Sequence, residues 1–260
     1  MMRQVPDYRV DRWTGCTGRH CVVIPVINEG ARIASLLQAM KRRGIPAIAD
    51  VVIVDGGSTD GSLHDALLDD AGVAGLLTKT GPGKLSAQLR CAYAFALDQG
   101  YEGVVTIDGN DKDDPQPIPD FIARLEQGYD FVQASRYLPG GVEENTPWQR
   151  KIAIRWIHAP VLSFASGFRW TDTTQGFRAY SRRLLEDDRV GIFRDVFKSY
   201  ELLAYLSYRA PKLGFRCIEL PTKRRYPKNE KVPTKISPLK GEFEVFRTLV
   251  NAARGAFDPN

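Results

Sequence analysis

Between Val104 and Pro117 the chain reads VVTIDGNDKDDPQP, placing Asp108, Asp111, Asp113 and Asp114 at the end of a β-branched apolar run. Two chemistries suit that stretch. Asp, Asn, Gly and Pro are the residues turns select for backbone tolerance and local hydrogen bonds, so the acids can be a solvated turn. Hard divalent cations take oxygen ligands and bridge them to phosphate, so the same acids can serve a phosphorylated substrate. Taken alone, the stretch favours the turn.

Two further polar clusters close apolar runs. VVIVD ends at Asp55 and continues as GGSTDGS, whose glycines Gly56 and Gly57 let the backbone approach a ligand closely. A carboxylate there can accept hydrogen bonds from a base N–H or from ribose hydroxyls, or it can be a structural turn residue. HCVVIPVIN brings Pro25 to the turn holding Asn28 and Glu29. Two phosphate-binding signatures are absent. TGPGKLS at 80–86 has Leu85 between Gly-Lys and Ser86, and PVINEG at 25–30 is not the dinucleotide fingerprint, which argues against a nicotinamide enzyme.

The elements that must position these clusters alternate along the chain. HCVVIPVIN, DVVIVDGG, VAGLLTKT, GVVTIDG and YDFVQASRY read as buried strands. EGARIASLLQAMKRRG reads as an amphipathic helix with Ile33, Leu36, Leu37 and Met40 inward and Gly44 after it. STDGSLHDALLDD should open on Ser and Thr caps, and KLSAQLRCAYAFALDQG and IPDFIARLEQG are further helices. The pattern predicts an α/β fold with a mainly parallel central sheet flanked by helices. Ligands then belong at the carboxyl ends of the strands. All three polar clusters fall at such ends, which shifts the balance from chance turns to a nucleotide and cation site.

From Trp148 to Phe168 the side chains Ile154, Ile157, Val161, Phe164 and Phe168 recur at helical spacing, with Arg150, Lys151 and Arg155 near the start. Pro160 should kink or divide this helix. Its apolar stripe reads first as a core face and second as a membrane face.

The chain has 260 residues, 43% of them hydrophobic, ample for a packed core. No repeat or linker separates domains, so one domain over 1–260 is expected. About 20–135 would form a nucleotide-binding half, 136–240 an acceptor-side half and 241–260 a C-terminal helix. The four cysteines form no C-x-x-C pair and no secretory signal is visible, so reduced thiols and a cytoplasmic chain are expected. The longest uncharged run, 156–168, is shorter than the roughly 20 residues of a membrane span. Of the net charge of +5, residues 221–240 carry +6. So localised an excess points to one anionic partner surface and not to nucleic acid.

VVIPVINEG, VVIVDGGSTDGS, VVTIDGN, VQASRY and TDTTQGFRAYSRRLL, in that order, resemble the family 2 glycosyltransferases of the GT-A fold, closest to their polyprenyl-phosphate (dolichol-phosphate mannose synthase-like) branch. The resemblance spans about 20–240. It implies inverting transfer from a nucleotide-sugar donor, with Mg²⁺ or Mn²⁺, to a polyprenyl phosphate or glycan acceptor by an enzyme peripheral to the membrane. By the same resemblance, Pro25, Asn28, Glu29 and Asp55 would hold the nucleotide. Asp108, Gly109 and Asn110 would lie on the D-x-D motif, with Asp108 and Asn110 on the metal. Arg136 and Arg178 would meet donor and acceptor phosphates, and Arg224 and Lys235 would belong to a basic loop over the site. Asp172 would be the base if the acceptor is a hydroxyl.

Two positions depart from the family pattern. The second acid of D-x-D is the neutral Asn110, followed by Lys112 where a Gln ligand is common, so either metal affinity is weak or Asp111 or Asp113 substitutes. The usual Asp-Asp after the second strand is Asp55-Gly56, leaving one carboxylate. A glycosyltransferase acting on a hydroxyl, a sugar-phosphate nucleotidyltransferase and a non-catalytic nucleotide-sugar-binding protein remain alternatives at this point.

Overall fold

The computed structural model describes residues 3–228 and 240–259. The Val/Ile runs become its central strands. β2 (His20–Val26), β3 (Asp50–Asp55) and β5 (Gly103–Thr106) are buried at every position, as strands covered on both faces must be. β2 lies between β3 and β5 and runs parallel to both, and β4 (Val73–Lys79) extends the parallel set beyond β3. The chain therefore runs outward from β2 and returns to β5 on its other side. That reversal opens a crevice at the carboxyl ends of β2 and β5.

Beyond β5 the sheet continues through β8 (Arg178–Ser181), β6 (Phe131–Ser135) and β9 (Cys217–Pro221), with β8 antiparallel to both its neighbours and β9 parallel to β6. β1 (Tyr8–Trp13) closes the opposite edge, antiparallel to β4. The expected mainly parallel sheet is thus present with two reversed strands.

Helices cover both faces over two hydrophobic cores. α1 (Ala31–Arg42) buries Ile33, Leu36, Leu37 and Met40 and gives way to Gly44 at φ 68°. α3 (Leu85–Asp98) is buried from Ser86 to Leu97, its polar Gln88 and Arg90 included, both of which are hydrogen-bonded, and it packs between the sheet and α8 (Glu201–Lys212). α4 (Ile118–Glu126) covers the other face of the sheet, and α7 (Arg182–Glu186) is a short helix capped by Ser181. α2 differs from expectation. It spans Asp65–Asp70 and is capped by His64, whose ring nitrogen accepts from Leu67 N–H at 3.3 Å. Ser58 and Thr59 bond to neighbouring loops instead.

The 148–168 helix is divided, as Pro160 requires. α5 (Trp148–Ile152) passes through a π-helical turn at Ala153–His158 into α6 (Ala159–Ser166), which packs against α8 and α9 (Lys240–Ala253). A parallel ribbon pairs β7 (Val142–Glu144) with β10 (Lys223–Arg225). Lys223 and Arg225 both pair with Glu144 there, at 2.6 and 2.8 Å, which fixes the start of the basic segment. Lys235, expected further along that segment, lies outside the described residues.

Candidate active site

The nucleotide side of the crevice is a pair of interlocked turns. Both Asp55 carboxylate oxygens accept from the Ser58 backbone N–H, at 3.0 and 2.9 Å, and Oδ1 also accepts from the Ser58 hydroxyl at 2.6 Å. Asn28, held at φ 48°, donates its N–H to Ser58 Oγ at 2.9 Å and accepts from Thr59 N–H at 2.8 Å. Gly30 N–H reaches Asp60 at 2.9 Å. Asn28 and Asp55 thus share one bonded framework, and Glu29 lies within the same turn.

Beneath that framework is a residue the sequence reading passed over. Gln88 of α3 is buried, and its amide donates to the Val26 and Val54 carbonyls, at 2.8 and 2.5 Å, tying the ends of β2 and β3 together. Its period places it in an apolar helix, where an isolated Gln is the available signal. Gln88→Ala is expected to leave two buried carbonyls short of a donor, costing about 1–3 kcal/mol in chemical denaturation. It should also weaken nucleotide binding measured by calorimetry.

On the other side of the crevice, Gly109 passes so close to β2 that an added Cβ would lie 2.9 Å from Val26 Cγ2 and 3.1 Å from the Pro25 carbonyl. Asp108 is partly exposed, and Gly176 packs directly under it: a Cβ at 176 would lie 2.8 Å from Asp108 Cγ. The other acids nearby are differently placed. Asn110 Oδ1 accepts from the Lys112 backbone N–H at 3.3 Å. The Asp111 side chain bonds to Ser35, and burial pushes its carboxyl up. Asp113 is buried in an ion pair with Arg224, and Asp114 pairs with Arg43 at 3.0 Å. Asp111 is engaged with Ser35, and Asp113 is committed to Arg224, which it shares with Asp108, so both acids named as replacements for the missing D-x-D acid already have other partners.

A cationic cluster adjoins Asp108. Arg224 Nη2 lies 3.8 Å from Asp108 Oδ2, and the Arg224 guanidinium and Lys112 ammonium sit 5.7 and 5.5 Å from the centre of the Tyr226 ring. Arg150 donates to the Tyr226 hydroxyl at 3.3 Å. Burial alone would push the Tyr226 phenol up, but Arg224, Arg136 and Arg150 together draw it down to about 7. Burial and Arg224 likewise pull the Lys112 ammonium down to about 8. Arg136 Nη1 and Arg224 Nε are buried without a hydrogen-bond partner, and buried polar groups ordinarily have one. Such orphaned donors fit a place that receives an anion.

Arg136 owes its position to Asp172. The pair is wholly buried, with Nε 2.7 Å from Oδ2, and the same carboxylate accepts from Gln175 Nε2 at 2.7 Å and Thr174 Oγ1 at 3.0 Å. Glu219 supports this turn by accepting from the Thr171 and Asp172 N–H groups, and its burial pushes the carboxyl up to about 7. A carboxylate so fully engaged orients an arginine and is not free to take a proton from a hydroxyl, which corrects the expectation of Asp172 as a base.

Arg178 is corrected as well. It is fully buried, and its guanidinium donates to the carbonyls of Gln175, Leu203 and Thr173 at 2.7–2.8 Å while lying 5.6 Å from the Phe131 ring centre. It braces the turn carrying Asp172 and Gly176 and presents nothing to a phosphate.

A parallel-sheet switch point, where α/β sheets bind their ligands, here gathers interlocked turns, the partly exposed Asp108 and orphaned arginine donors. The chain belongs to the family described as Glycosyl transferase family 2, whose profile matches residues 21–189. It is a nucleotide-sugar-dependent glycosyltransferase, which sets aside the nucleotidyltransferase and non-catalytic alternatives. The polyprenol monophosphomannose synthase of Mycolicibacterium smegmatis is 29% identical over 210 residues, 79% of this chain and 77% of the relative. The undecaprenyl-phosphate mannosyltransferase of Micrococcus luteus is 28% identical over 206 residues, 78% of this chain and 82% of the relative. Among solved structures, glucosyl-3-phosphoglycerate synthase from Mycobacterium tuberculosis, in complex with Mn²⁺, UDP-glucose and phosphoglyceric acid, superposes with a TM-score of 0.61 at 16% identity, covering 96% of this chain and 82% of that one. At that identity the likeness establishes the GT-A fold.

Proposed function

We propose that this glycosyltransferase moves a sugar, with inversion, from a nucleotide-sugar donor to a polyprenyl phosphate at a membrane surface. The observation that carries the reading is Arg150. Its guanidinium reaches the cationic cluster at Tyr226, while its own short helix, α5, also bears the exposed Trp148 and Ile152. Exposed Trp156 and Phe164, the latter 94% accessible, continue that apolar surface through the π turn and α6. Phosphate-seeking and lipid-seeking groups are therefore contiguous, as a lipid phosphate demands. The named relatives act on acceptors of this class.

The acceptor chemistry agrees with the absence of a free base at Asp172. A phosphate monoester, with a second pKa near 6, is already nucleophilic around pH 7. Asn28, Glu29 and Asp55 hold the nucleoside in this scheme, and Asp108, Gly109 and Asn110 face the diphosphate. Arg136 and Arg224 stabilise the phosphates electrostatically. Among the described residues no helix is long and apolar enough to cross a membrane, and the proposed membrane contact is made by the α5–α6 face.

The test is transfer from a panel of nucleotide sugars to a short polyprenyl phosphate, the matching polyprenol and free sugar acceptors. Product on the lipid phosphate alone is expected. Product on a sugar hydroxyl, with none on the lipid phosphate, would reject the acceptor assignment. In flotation with vesicles containing anionic lipid, Trp156→Glu combined with Phe164→Glu is expected to abolish co-migration while leaving transfer to a detergent-solubilised short-chain acceptor intact.

A further inference from the structure

The acids around Asp108 are poorly suited to hold a divalent ion. Mg²⁺ and related cations are ordinarily gripped by one or two carboxylates together with substrate phosphates, in a closely defined shell of oxygens. Asp108 is the acid left facing this role, and Arg224 already lies 3.8 Å from it. Asp113 and Asp114 are paired with Arg224 and Arg43, Asp111 is bonded to Ser35, and the Asn110 oxygen accepts a backbone N–H. A dication entering here would also meet repulsion from two side-chain cations.

Those cations supply what the acids lack. Lys112 is 6% exposed, two positions past Asn110, with its ammonium against Tyr226 and in the field of Asp108. Arg224 is 5% exposed and keeps a buried Nε without a partner. Together they bring two cationic groups on fixed stems around Tyr226, Arg224 3.8 Å from Asp108 and paired on its other side with the buried Asp113. Stabilisation of a leaving group needs preorganised charge and does not depend on whether an ion or a side chain carries it.

We infer that Lys112 and Arg224 neutralise the departing diphosphate in place of a tightly held divalent cation, so that this chain binds its donor and transfers sugar with little dependence on added metal. The inference rests on the nucleotide-sugar donor occupying the β2–β5 crevice. Asp108 then acts by holding the two cations in place and by offsetting their mutual repulsion.

The experiment uses the full chain and a panel of nucleoside diphosphates (ADP, CDP, GDP, TDP, UDP) as probes, with binding followed by calorimetry in excess EDTA and in Mn²⁺. The preferred diphosphate is expected to bind with nearly the same affinity in both. Lys112→Gln should weaken binding in EDTA on the order of tenfold and confer a response to Mn²⁺ that the parent lacks. It should also lower EDTA-insensitive transfer on the order of 10²-fold. Lys112→Arg, which keeps the charge, should retain EDTA-insensitive binding and controls for misfolding. Binding that disappears in EDTA and is untouched by Lys112→Gln would overturn the inference while leaving the donor site standing. Failure of every diphosphate to bind in either condition would instead overturn the donor's placement in the crevice, and the inference with it.

Discussion

Gly176→Ala is expected to leave the protein folded and nearly as stable as the parent while reducing transfer on the order of 10²-fold or more. The new methyl would lie 2.8 Å from Asp108 Cγ and closer still to Oδ1, so the two cannot keep their present positions. What it meets is the end of a partly exposed side chain, not backbone, so Asp108 can swing away at little cost to the fold. No backbone strain adds to that cost, since Gly176 is absent from the positive-φ glycines. The displaced carboxylate is the one placed against Arg224, at the proposed diphosphate position. Thermal unfolding should therefore shift little, nucleoside diphosphate affinity should fall, and turnover should fall most. A large loss of stability with unchanged turnover in the surviving protein would show that Gly176 matters for packing and not for Asp108.

Why Gly176 and Gln88 escaped a reading of the sequence, while Asp108 and Asp55 did not, follows from the range of the interactions. Asp55 and Asp108 are announced locally, each closing a buried β-branched strand before a glycine. Such strands form wherever both faces are covered, and their carboxyl ends define the rim. The α1 stripe was legible for the same reason, since its 3.6-residue period is written in consecutive turns. Gly176 approaches Asp108 across 68 positions of chain, through the antiparallel insertion of β8 between β5 and β6. Nothing near 176 in the sequence reports that pairing. Arg178 misled because an arginine within a polar motif looks the same whether it meets a phosphate or three backbone carbonyls. Only burial separates the two cases, and burial here is set by α8, whose Leu203 carbonyl takes one of the guanidinium hydrogens. The β7–β10 ribbon was illegible because its three-residue strands are too short for a period, and its pairing is set by Glu144 reaching Lys223 and Arg225.

Asp172→Ala is expected to be the most destabilising single change at the site. Asp172 and Arg136 are both almost wholly inaccessible, and the carboxylate also accepts from Gln175 and Thr174. Removing one member of a buried, hydrogen-bonded pair strands the other charge in a low-dielectric interior, at a cost of about 3–5 kcal/mol. For a chain of this length that should appear as a fall in the unfolding midpoint of many degrees. The orphaned guanidinium is the source of the loss, so Asp172→Ala with Arg136→Met should recover part of the stability and none of the activity, and the double-mutant cycle measures the coupling directly. Asp172→Asn distinguishes orientation from proton transfer. It keeps the shape of the site but removes the charge that fixes Arg136, so transfer should fall with weakened phosphate binding while the pH–rate profile keeps its form. Were Asp172 a general base, the same substitution would remove the limb of the profile that reports its ionisation. A lost limb, together with unimpaired phosphate binding, would restore Asp172 to the base role that its bonds to Arg136, Gln175 and Thr174 argue against.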